Sequence, residues 1–348
     1  MRATNILIFM NTFFKFFSFV VLSLALFSCS KSDSTAAISL RDYRQQYLAD
    51  STAIDAFFKT HAYSVDANSN VTFAVTTNPA LSMRKELHAI LRDTSIVQDG
   101  ITYDKVYFLK LNAGTQRRPT PVDSIFIAYK GTFISQTGTD YNETQFDASP
   151  NPIWLPLQGV ISGWQHILPY FKTGTYTSGG SNPTVFSGFG TGVMFLPSGL
   201  AYFGGSVSTI PVYSPLIFTF KMYELQYRDH DRDGILSKDE RALGTDPLTN
   251  WTINPMGYDT DGDGVFNMFD VDDDGDFFTT KFETRKPAFD VTTPTNPSGS
   301  GPSLYYPFNP TATETKGVPS KPVGTVSDFT SPNRLRVYLD PTYHPTNL

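Results

Sequence analysis

The chain contains one cysteine and five histidines in 348 residues. A single cysteine cannot form a disulfide within the chain or a thiolate metal cluster, and five scattered histidines leave little for a histidine-based zinc site. Charged residues make up only 17% and the formal net charge is -6, so we expect no nucleic-acid partner. Hydrophobic residues reach 40%, which excludes a disordered polyelectrolyte.

Aromatic residues, in contrast, are abundant. The chain has 29 Phe and 18 Tyr, and it also has 25 Gly and 24 Pro. Aromatic residues favour strands, whereas Gly and Pro favour turns. We therefore expect strands and turns rather than long helices, in a chain that is long enough for two ordinary domains.

The N-terminal segment is typical of an export signal. Residues 1–28 begin with the basic Arg2 and Lys15 and continue with the apolar run FFSFVVLSLALF, which is too short for a transmembrane span. The run ends at Leu-Phe-Ser-Cys, which resembles a bacterial lipobox and implies cleavage before Cys29 and lipidation of its sulfur. The alternative is an ordinary signal peptide with an incidental cysteine. The Ser/Lys/Asp-rich residues 29–37 form a linker.

A lipid on Cys29 would hold the protein at a membrane surface while the rest of the chain stays in water. The expected location is therefore the envelope of a bacterium, on the outer membrane, facing either the periplasm or the surface.

The next two regions differ in their periodicity. Residues 38–100 form an N-terminal extension with a predicted helix, because apolar residues within 38–62 recur at helical spacing. From residue 101 the segments VYFLKL, SIFIAYKGTF and PLIFTFKMYEL predict strands. A short helix is predicted at 162–171, and residues 173–192 read as a long Gly/Ser loop.

Five short motifs stand in a fixed order in the strand region. They are AYKG, QFDAS, GVISGW, LAYFGG and PLIFTFKMYEL. Residues 101–227 on this basis resemble an FKBP-type peptidyl-prolyl isomerase domain. The residues that carry the resemblance are Tyr129, Phe146, Asp147, Val160, Ile161, Trp164, Tyr202 and Phe218. The chain departs from the family pattern at Phe203, which stands between Tyr202 and Gly204, and at the insertion 173–192.

The resemblance implies an α+β fold, in which a bent antiparallel sheet wraps one short helix and the substrate proline enters an aromatic cleft. It implies that Trp164 forms the floor of this cleft and that three rings form its walls: Tyr129, Phe146 and Phe218. Trp154, or Ile153 beside it, would fill a further wall position.

The same resemblance assigns the polar groups of the cleft. It implies that the N–H of Ile161, which follows Val160 at the start of the helix, and the hydroxyl of Tyr202 bind substrate carbonyls. Asp147 would lie beside the twisting amide. Rotation about an X–Pro bond breaks amide resonance and needs no nucleophile, so the lack of a serine or cysteine triad is no argument against an enzyme. The alternative is that these aromatic residues are only core.

One acidic block follows the strand region. Residues 229–283 hold fifteen Asp or Glu against four Lys or Arg, a local charge of 4 - 15 = -11, so the rest of the chain carries -6 + 11 = +5. The tail, residues 286–348, contains eleven of the 24 Pro and is expected to be irregular.

The block has the ligand spacing of EF-hand loops, in which oxygen ligands suit a hard cation and Gly permits a sharp turn. The first loop has Asp229, Asp231, Asp233, Gly234, the carbonyl of Ile235, Ser237 and Glu240 at positions 1, 3, 5, 6, 7, 9 and 12. The second has Asp259, Asp261, Asp263, Gly264, Val265, Asn267 and Asp270 at the same positions. The third has Asp272, Asp274, Asp276 and Glu283, although a frame that begins at Asp270 is the alternative.

These loops predict calcium as a structural cofactor, and magnesium is less suited to such cages. The phrases LGTDPLTN and DTDGDGVFNMFDVDDDGD resemble bacterial thrombospondin type 3 repeats, in which loops wrap bound calcium with little other core. The alternative is a solvated acidic stretch. The prediction for the whole chain is a lipid-anchored prolyl isomerase that acts on proline-containing client polypeptides and carries a calcium-stabilised, loop-rich C-terminal module. A non-catalytic, calcium-dependent binding or adhesion lipoprotein is the rival interpretation.

Overall fold

The computed structural model describes residues 40–83, 91–179, 182–207, 209–240, 257–286, 304–306, 317–324, 326–329, 331 and 334–345. The predicted signal peptide, Cys29 and the linker lie outside these residues. No helix in the described ranges is both long and apolar enough to span a bilayer. Residues 42–348 form one compact unit, which is separate from residues 1–41.

The unit from residue 42 onward is built mainly of antiparallel strands, with few helices. In chain order its helices and strands are α1 (Tyr43–Thr60), β1 (His61–Val65), β2 (Val71–Val75), β3 (Leu91–Gln98), β4 (Ile101–Asn112), β5 (Ser124–Thr137), β6 (Asp140–Pro156), α2 (Ser162–Ile167), β7 (Thr175–Gly179), β8 (Asn182–Ser187), β9 (Gly190–Leu196), β10 (Leu216–Gln226) and α3 (Thr280–Glu283).

Six of these strands form the main sheet, in the spatial order β3-β4-β9-β10-β5-β6, and every pairing is antiparallel. Strand β3 comes from the N-terminal extension, yet it pairs with β4 at the edge of this sheet. The extension therefore contributes to the sheet as well as preceding it.

Alternate residues of the strands point to opposite faces of the sheet, and both faces are covered. On one face Phe108, Met194 and Phe218 share a buried cluster with Trp164 and Ile167 of helix α2. The expected α+β class, with a short helix packed on an antiparallel sheet, is confirmed to this extent. The expected calcium-stabilised module stays a prediction.

Helix α1 covers the second face. It begins after Asp42, whose carboxylate accepts a hydrogen bond from the N–H of Gln45, and it falls within the predicted range 38–62. Phe58 of the helix packs edge to face on Phe195 of β9, at 4.7 Å between ring centroids. The β1–β2 hairpin adds Phe73 to the same cluster. The predicted helix is thus confirmed, and it packs on the second face of the sheet together with the hairpin.

The prediction of a long Gly/Ser loop at 173–192 is wrong. Strands β7 and β8 pair within it as an antiparallel hairpin, with Tyr176 opposite Phe186. The two rings lie 5.9 Å apart. Aromatic and β-branched residues at alternate positions stabilise such pairs, and the many Gly and Ser residues concealed this pattern.

The acidic block and the tail share a small core. Ile235 of the first loop packs with Val318, Val337 and Tyr338 of the tail, all of them buried. The described parts of the tail thus contribute apolar packing, and the expectation of loops with little other core needs correction here.

Candidate functional site

The strand register brings the aromatic residues of the motifs together. Gly131 of β5 lies between Phe218 of β10 and Asp147 of β6. A Cβ atom at Gly131 would lie 2.7 Å from the ring of Phe146 and 2.8 Å from that of Phe218, closer than real Cβ contacts. Glycine is therefore required at this position for both rings to close over the strand.

Four rings form one connected cluster. Trp164 of α2 packs edge to face on Tyr129 and on Phe218, with centroids 5.3 and 5.1 Å apart. Phe146 meets Phe218 in the same geometry at 5.7 Å. Trp164 and Phe218 are buried, whereas Tyr129 and Phe146 are partly exposed. The arrangement has a buried floor and open walls.

The polar groups of the motifs lie beside this cluster. The hydroxyl of Tyr129 donates a hydrogen bond of 2.6 Å to Asp147 Oδ2. Burial, together with this bond to a carboxylate, raises the pKa of Tyr129 to about 12. Burial and the charge of Asp147 also raise the pKa of Tyr202. Tyr202 therefore lies near Asp147, and both phenols stay protonated as hydrogen-bond donors at neutral pH.

The start of α2 completes this group. Val160 and Ile161 pack against the same core as Trp164. The carbonyl of Ile161 accepts a hydrogen bond from the N–H of Trp164, while in the described residues no protein group accepts from the N–H of Ile161. The indole N–H of Trp164 is buried and likewise lacks a partner there. Neither donor is thus used by a protein group in the described part of the chain.

The structure separates the two alternatives for the further wall. Trp154 lies opposite Phe126, and their rings are 5.2 Å apart. Ile153 lies opposite Ile127, which belongs to the core around Trp164. Ile153 is therefore on the face of the cluster and Trp154 is on the opposite face.

Residues of helix α1, which the motifs did not indicate, hold the segment that carries Tyr202. The carboxylate of Asp50 is buried and accepts hydrogen bonds from the N–H and hydroxyl of Ser198, at 2.7 and 2.6 Å. Phe203 has a positive φ of 48° and stacks on Tyr43 at 4.0 Å. Phe203, where the chain departs from the family pattern, thus anchors the segment 198–203 on helix α1.

The predicted cation loops have the local turns that their spacing implies. In the first loop Asp231 accepts from the N–H of Asp233, and Asp233 accepts from that of Ile235 at 2.6 Å. In the second loop Asp263 accepts from the N–H of Val265 at 2.7 Å. Such bonds bend the chain so that alternate carboxylates converge.

Carboxylate oxygens from each loop converge to within 4.8 Å. The groups are Asp229, Asp231 and Asp233; Asp259, Asp261 and Asp263; Asp272, Asp274 and Asp276; and a fourth that joins Asp233, Glu240 and Asp273. Burial and neighbouring carboxylates raise the pKa of Glu240 to about 11 and that of Asp233 to about 8. Buried carboxylates that repel one another and lack hydrogen-bond donors fit a hard divalent cation.

Oxygens of Asp272, Asp274 and Asp276 converge, which favours the frame that begins at Asp272 for the third loop. Burial, with the charges of Asp274, Asp276 and Asp272, raises the pKa of Glu283 to about 10, so this side chain lies at the same centre. Phe277 holds the position where Gly is usual and adopts a positive φ of 75°. Burial and the charges of Asp263, Asp261 and Asp272 raise the pKa of Asp270, so residues of both the second and the third loop act on it.

A curated relative, the FKBP-type peptidyl-prolyl cis-trans isomerase FkpA of Buchnera aphidicola subsp. Schizaphis graminum, is 31% identical to this chain over 120 residues. The match covers 34% of this chain and 38% of the relative, so well under half of the relative's length is spanned. The resemblance to FKBP-type isomerases is supported over about a third of the chain.

Two solved structures are also similar. A peptidyl-prolyl cis-trans isomerase from Pseudomonas syringae pv. tomato is 18% identical, with 53% of this chain and 97% of that one covered and a TM-score of 0.31. FkpA from Escherichia coli is 23% identical, with 41% and 55% covered and a TM-score of 0.30. Both likenesses are too distant to bear on the site.

A family model described as BamM C-terminal matches residues 230–318, about a quarter of the chain. It spans most of the acidic block and part of the tail, and its description names no ligand. The resemblance to thrombospondin type 3 repeats and the calcium cofactor therefore stay predictions.

Proposed function

We propose that this chain is a peptidyl-prolyl cis-trans isomerase that acts on X–Pro bonds of envelope or secreted proteins. The observation that carries the proposal is the cluster of Tyr129, Phe146, Trp164 and Phe218, with Asp147 held at its edge by Tyr129. Sequence similarity to an FKBP-type isomerase over 120 residues supports it.

The residues of the cluster suit rotation about an amide. Trp164 and Phe218 supply a dry apolar surface for the proline ring, which disfavours the more polar planar amide. The free N–H of Ile161 and the hydroxyl of Tyr202 provide fixed donors for substrate carbonyls, and donors set in advance can favour the twisted amide over the planar one. The barrier to be lowered is roughly 18–20 kcal/mol.

The test is a protease-free assay of proline isomerisation, such as NMR exchange in a short X–Pro peptide, with residues 29–348 in excess calcium. We expect acceleration that falls about tenfold in Asp147→Ala and in Tyr202→Phe, since each change removes about one hydrogen bond to the reacting region. Trp154→Ala is the matched control, because it removes an aromatic ring from the opposite face of the sheet. No acceleration by the wild type would reject the enzyme.

The rival function is client binding without catalysis, and a second aromatic groove favours it. A cavity of about 710 Å³ is lined by Phe126, Trp154, Tyr176 and Phe186, with Arg117 at its edge. Trp154 is 49% exposed. If the wild type binds proline-containing peptides without accelerating isomerisation, and Trp154→Ala weakens that binding, the binding module is the better description.

The proposal includes calcium as a structural cofactor and a membrane anchor at Cys29. Bound calcium would neutralise the repelling carboxylates of the acidic block and so stabilise its loops. For the anchor, fatty-acid labelling of cells should mark the wild type, and Cys29→Ser should abolish both the label and lipoprotein processing. Normal acylation of Cys29→Ser would reject the anchor.

A further inference from the structure

One buried acidic residue of the acidic block is not used by the loop pattern. Asp273 holds position 2 of the third loop, between Asp272 and Asp274. In an extended loop, positions 1, 3 and 5 face the loop's own centre and position 2 faces away. Oxygens of Asp273 lie instead within 4.8 Å of oxygens of Asp233 and Glu240 from the first loop.

This second group of carboxylates is deeply buried. Asp233 and Glu240 are 2% exposed and Asp273 is 1% exposed. Both oxygens of Glu240, both of Asp273 and one of Asp233 lack a hydrogen-bond partner in the described residues. The hydroxyl of Thr280 accepts a hydrogen bond of 3.3 Å from the backbone N–H of Asp273. A buried carboxylate without donors is strongly unfavourable, and a bound cation is the kind of group that would stabilise this arrangement.

The group adjoins further carboxylates. Oxygens of Asp229, Asp231 and Asp233 in the first loop also lie within 4.8 Å of one another. A divalent cation satisfies all of these oxygens at once.

We propose that Asp273 is a ligand of the cation bound by the first loop, so that one ion joins the Asp229–Glu240 segment to the third loop. The inference rests on the proposed cation-binding role of the acidic block. It changes the assignment of ligands, because the first loop is then completed by a residue 33 positions beyond its end.

Neighbouring contacts also connect the first loop with the third loop. The ammonium group of Lys281, in α3, donates to the carbonyl of Arg232 in the first loop at 3.1 Å. Tyr338 of the tail is buried in the same small core as Ile235 of the first loop. The cation would thus link the first loop to the third loop.

The proposal is tested by the effect of Asp273→Asn on the melting temperature, which should have opposite signs in calcium and in chelator. In excess calcium, Asp273→Asn should lower the melting temperature of residues 29–348, because one ligand of a stabilising ion is weakened. In chelator the same variant should raise the melting temperature, because a repelling charge is removed from beside Asp233 and Glu240. A lower melting temperature in both conditions would mean that Asp273 has only a packing role, and the proposal would be rejected.

Hydrogen exchange locates the effect. With calcium present, Asp273→Asn should loosen the amides of 229–240 and leave the calcium-induced protection of 272–283 largely intact. Asp274→Asn is the matched variant, one position along the same loop, and should loosen 272–283 first. The reverse pattern for Asp273→Asn would place its carboxylate in the third loop and overturn the proposal.

Calcium titration by calorimetry separates this inference from the broader one. Wild type should bind calcium with one more site than Asp273→Asn, or with at least tenfold higher affinity at one site. If wild type binds and the variant binds equally well, only the assignment of Asp273 fails. If wild type does not bind at all, the cation-binding role of the whole block fails with it.

Discussion

The sheet region and the acidic region differ in the hydrogen-bond partners of their buried carboxylates. In the sheet region buried charges have protein partners: Asp50 accepts three hydrogen bonds, and Asp123 accepts from Thr120 and from the N–H of Arg228. In the acidic region the buried carboxylates of Asp233, Glu240 and Asp273 have oxygens without hydrogen-bond partners among the described residues.

The difference indicates where each region obtains its stability. Two apolar clusters on the faces of the sheet support the first region by burial alone. Among the described residues, the acidic region has the small cluster around Ile235 and Tyr338. Its net charge of -11 opposes compaction, so on the proposed cation-binding role its stability would come from bound ions. The two regions should therefore respond differently to the same perturbations.

Removal of cations should separate the two regions most clearly. In chelator, amide protection across 229–240 and 257–286 should fall about 100-fold for each ion lost, since saturation at 100 times the dissociation constant contributes about 2.7 kcal/mol. Protection of β5 and β10, and isomerase turnover, should persist. Hydrogen exchange with and without calcium measures this. Equal loss in both regions would show that the sheet also depends on the cations.

Asp123 sharpens the comparison, because it is a buried carboxylate with partners. Burial raises its pKa to about 6, despite donors from Thr120 and Arg228. The folded state therefore binds a proton more tightly than the unfolded state, and this group's contribution to stability falls as pH rises from about 4 to about 6. Asp123→Asn should remove about 3 kcal/mol of that fall. Urea denaturation between pH 4 and 7 in calcium checks it, and parallel profiles for variant and wild type would contradict it.

Gly131→Ala tests the tight closure of the rings in the sheet region. The added Cβ would overlap Phe146 and Phe218, and we expect about 2 kcal/mol of destabilisation, in the range of overpacked cores. Turnover should fall as the two rings are displaced. Gly138→Ala, in an open turn where nothing lies near the added Cβ, controls for the removal of a glycine, although its positive φ adds some strain. Equal urea midpoints for Gly131→Ala and wild type would mean that the rings move aside freely.

The smallest expected effect concerns Asp50. Asp50→Asn replaces a buried acceptor of hydrogen bonds from Ser198 and Gln46, at a cost of about 1.5 kcal/mol. Because the Ser198 segment leads to Tyr202, the Michaelis constant and kcat should both change modestly. Asp55→Asn, on the exposed side of the same helix, is the matched control. A variant that loses stability without any change in kinetics would limit Asp50 to a structural role.

Local patterns account for the parts that could be predicted. The carboxylates of each loop converge through bonds between residues two positions apart, so spacing alone predicts them. The cleft residues lie in five short motifs, and antiparallel pairing of β5 with β6 and β10 brings three of those motifs side by side. Helix α1 was predictable because its apolar spacing is local as well.

Other features depend on partners far away in the chain. The hairpin at 173–192 was missed because Gly and Ser diluted a pattern that only cross-strand pairing of Tyr176 and Phe186 makes stable. Phe203 reads as an intrusion in the sequence, and only its stack on Tyr43, 160 positions earlier, explains it.

The amino-acid sequence by itself determined which residues carry charge, where the strands that carry the motifs lie and which carboxylates share a loop, since all of these follow from spacing over a few residues. The tertiary structure decided which face each side chain meets. Asp273 shows the distinction: the sequence places it in the third loop, but the fold buries it against Asp233 and Glu240 of the first. Burial is set by the packing of whole segments, and so no local spacing contains it.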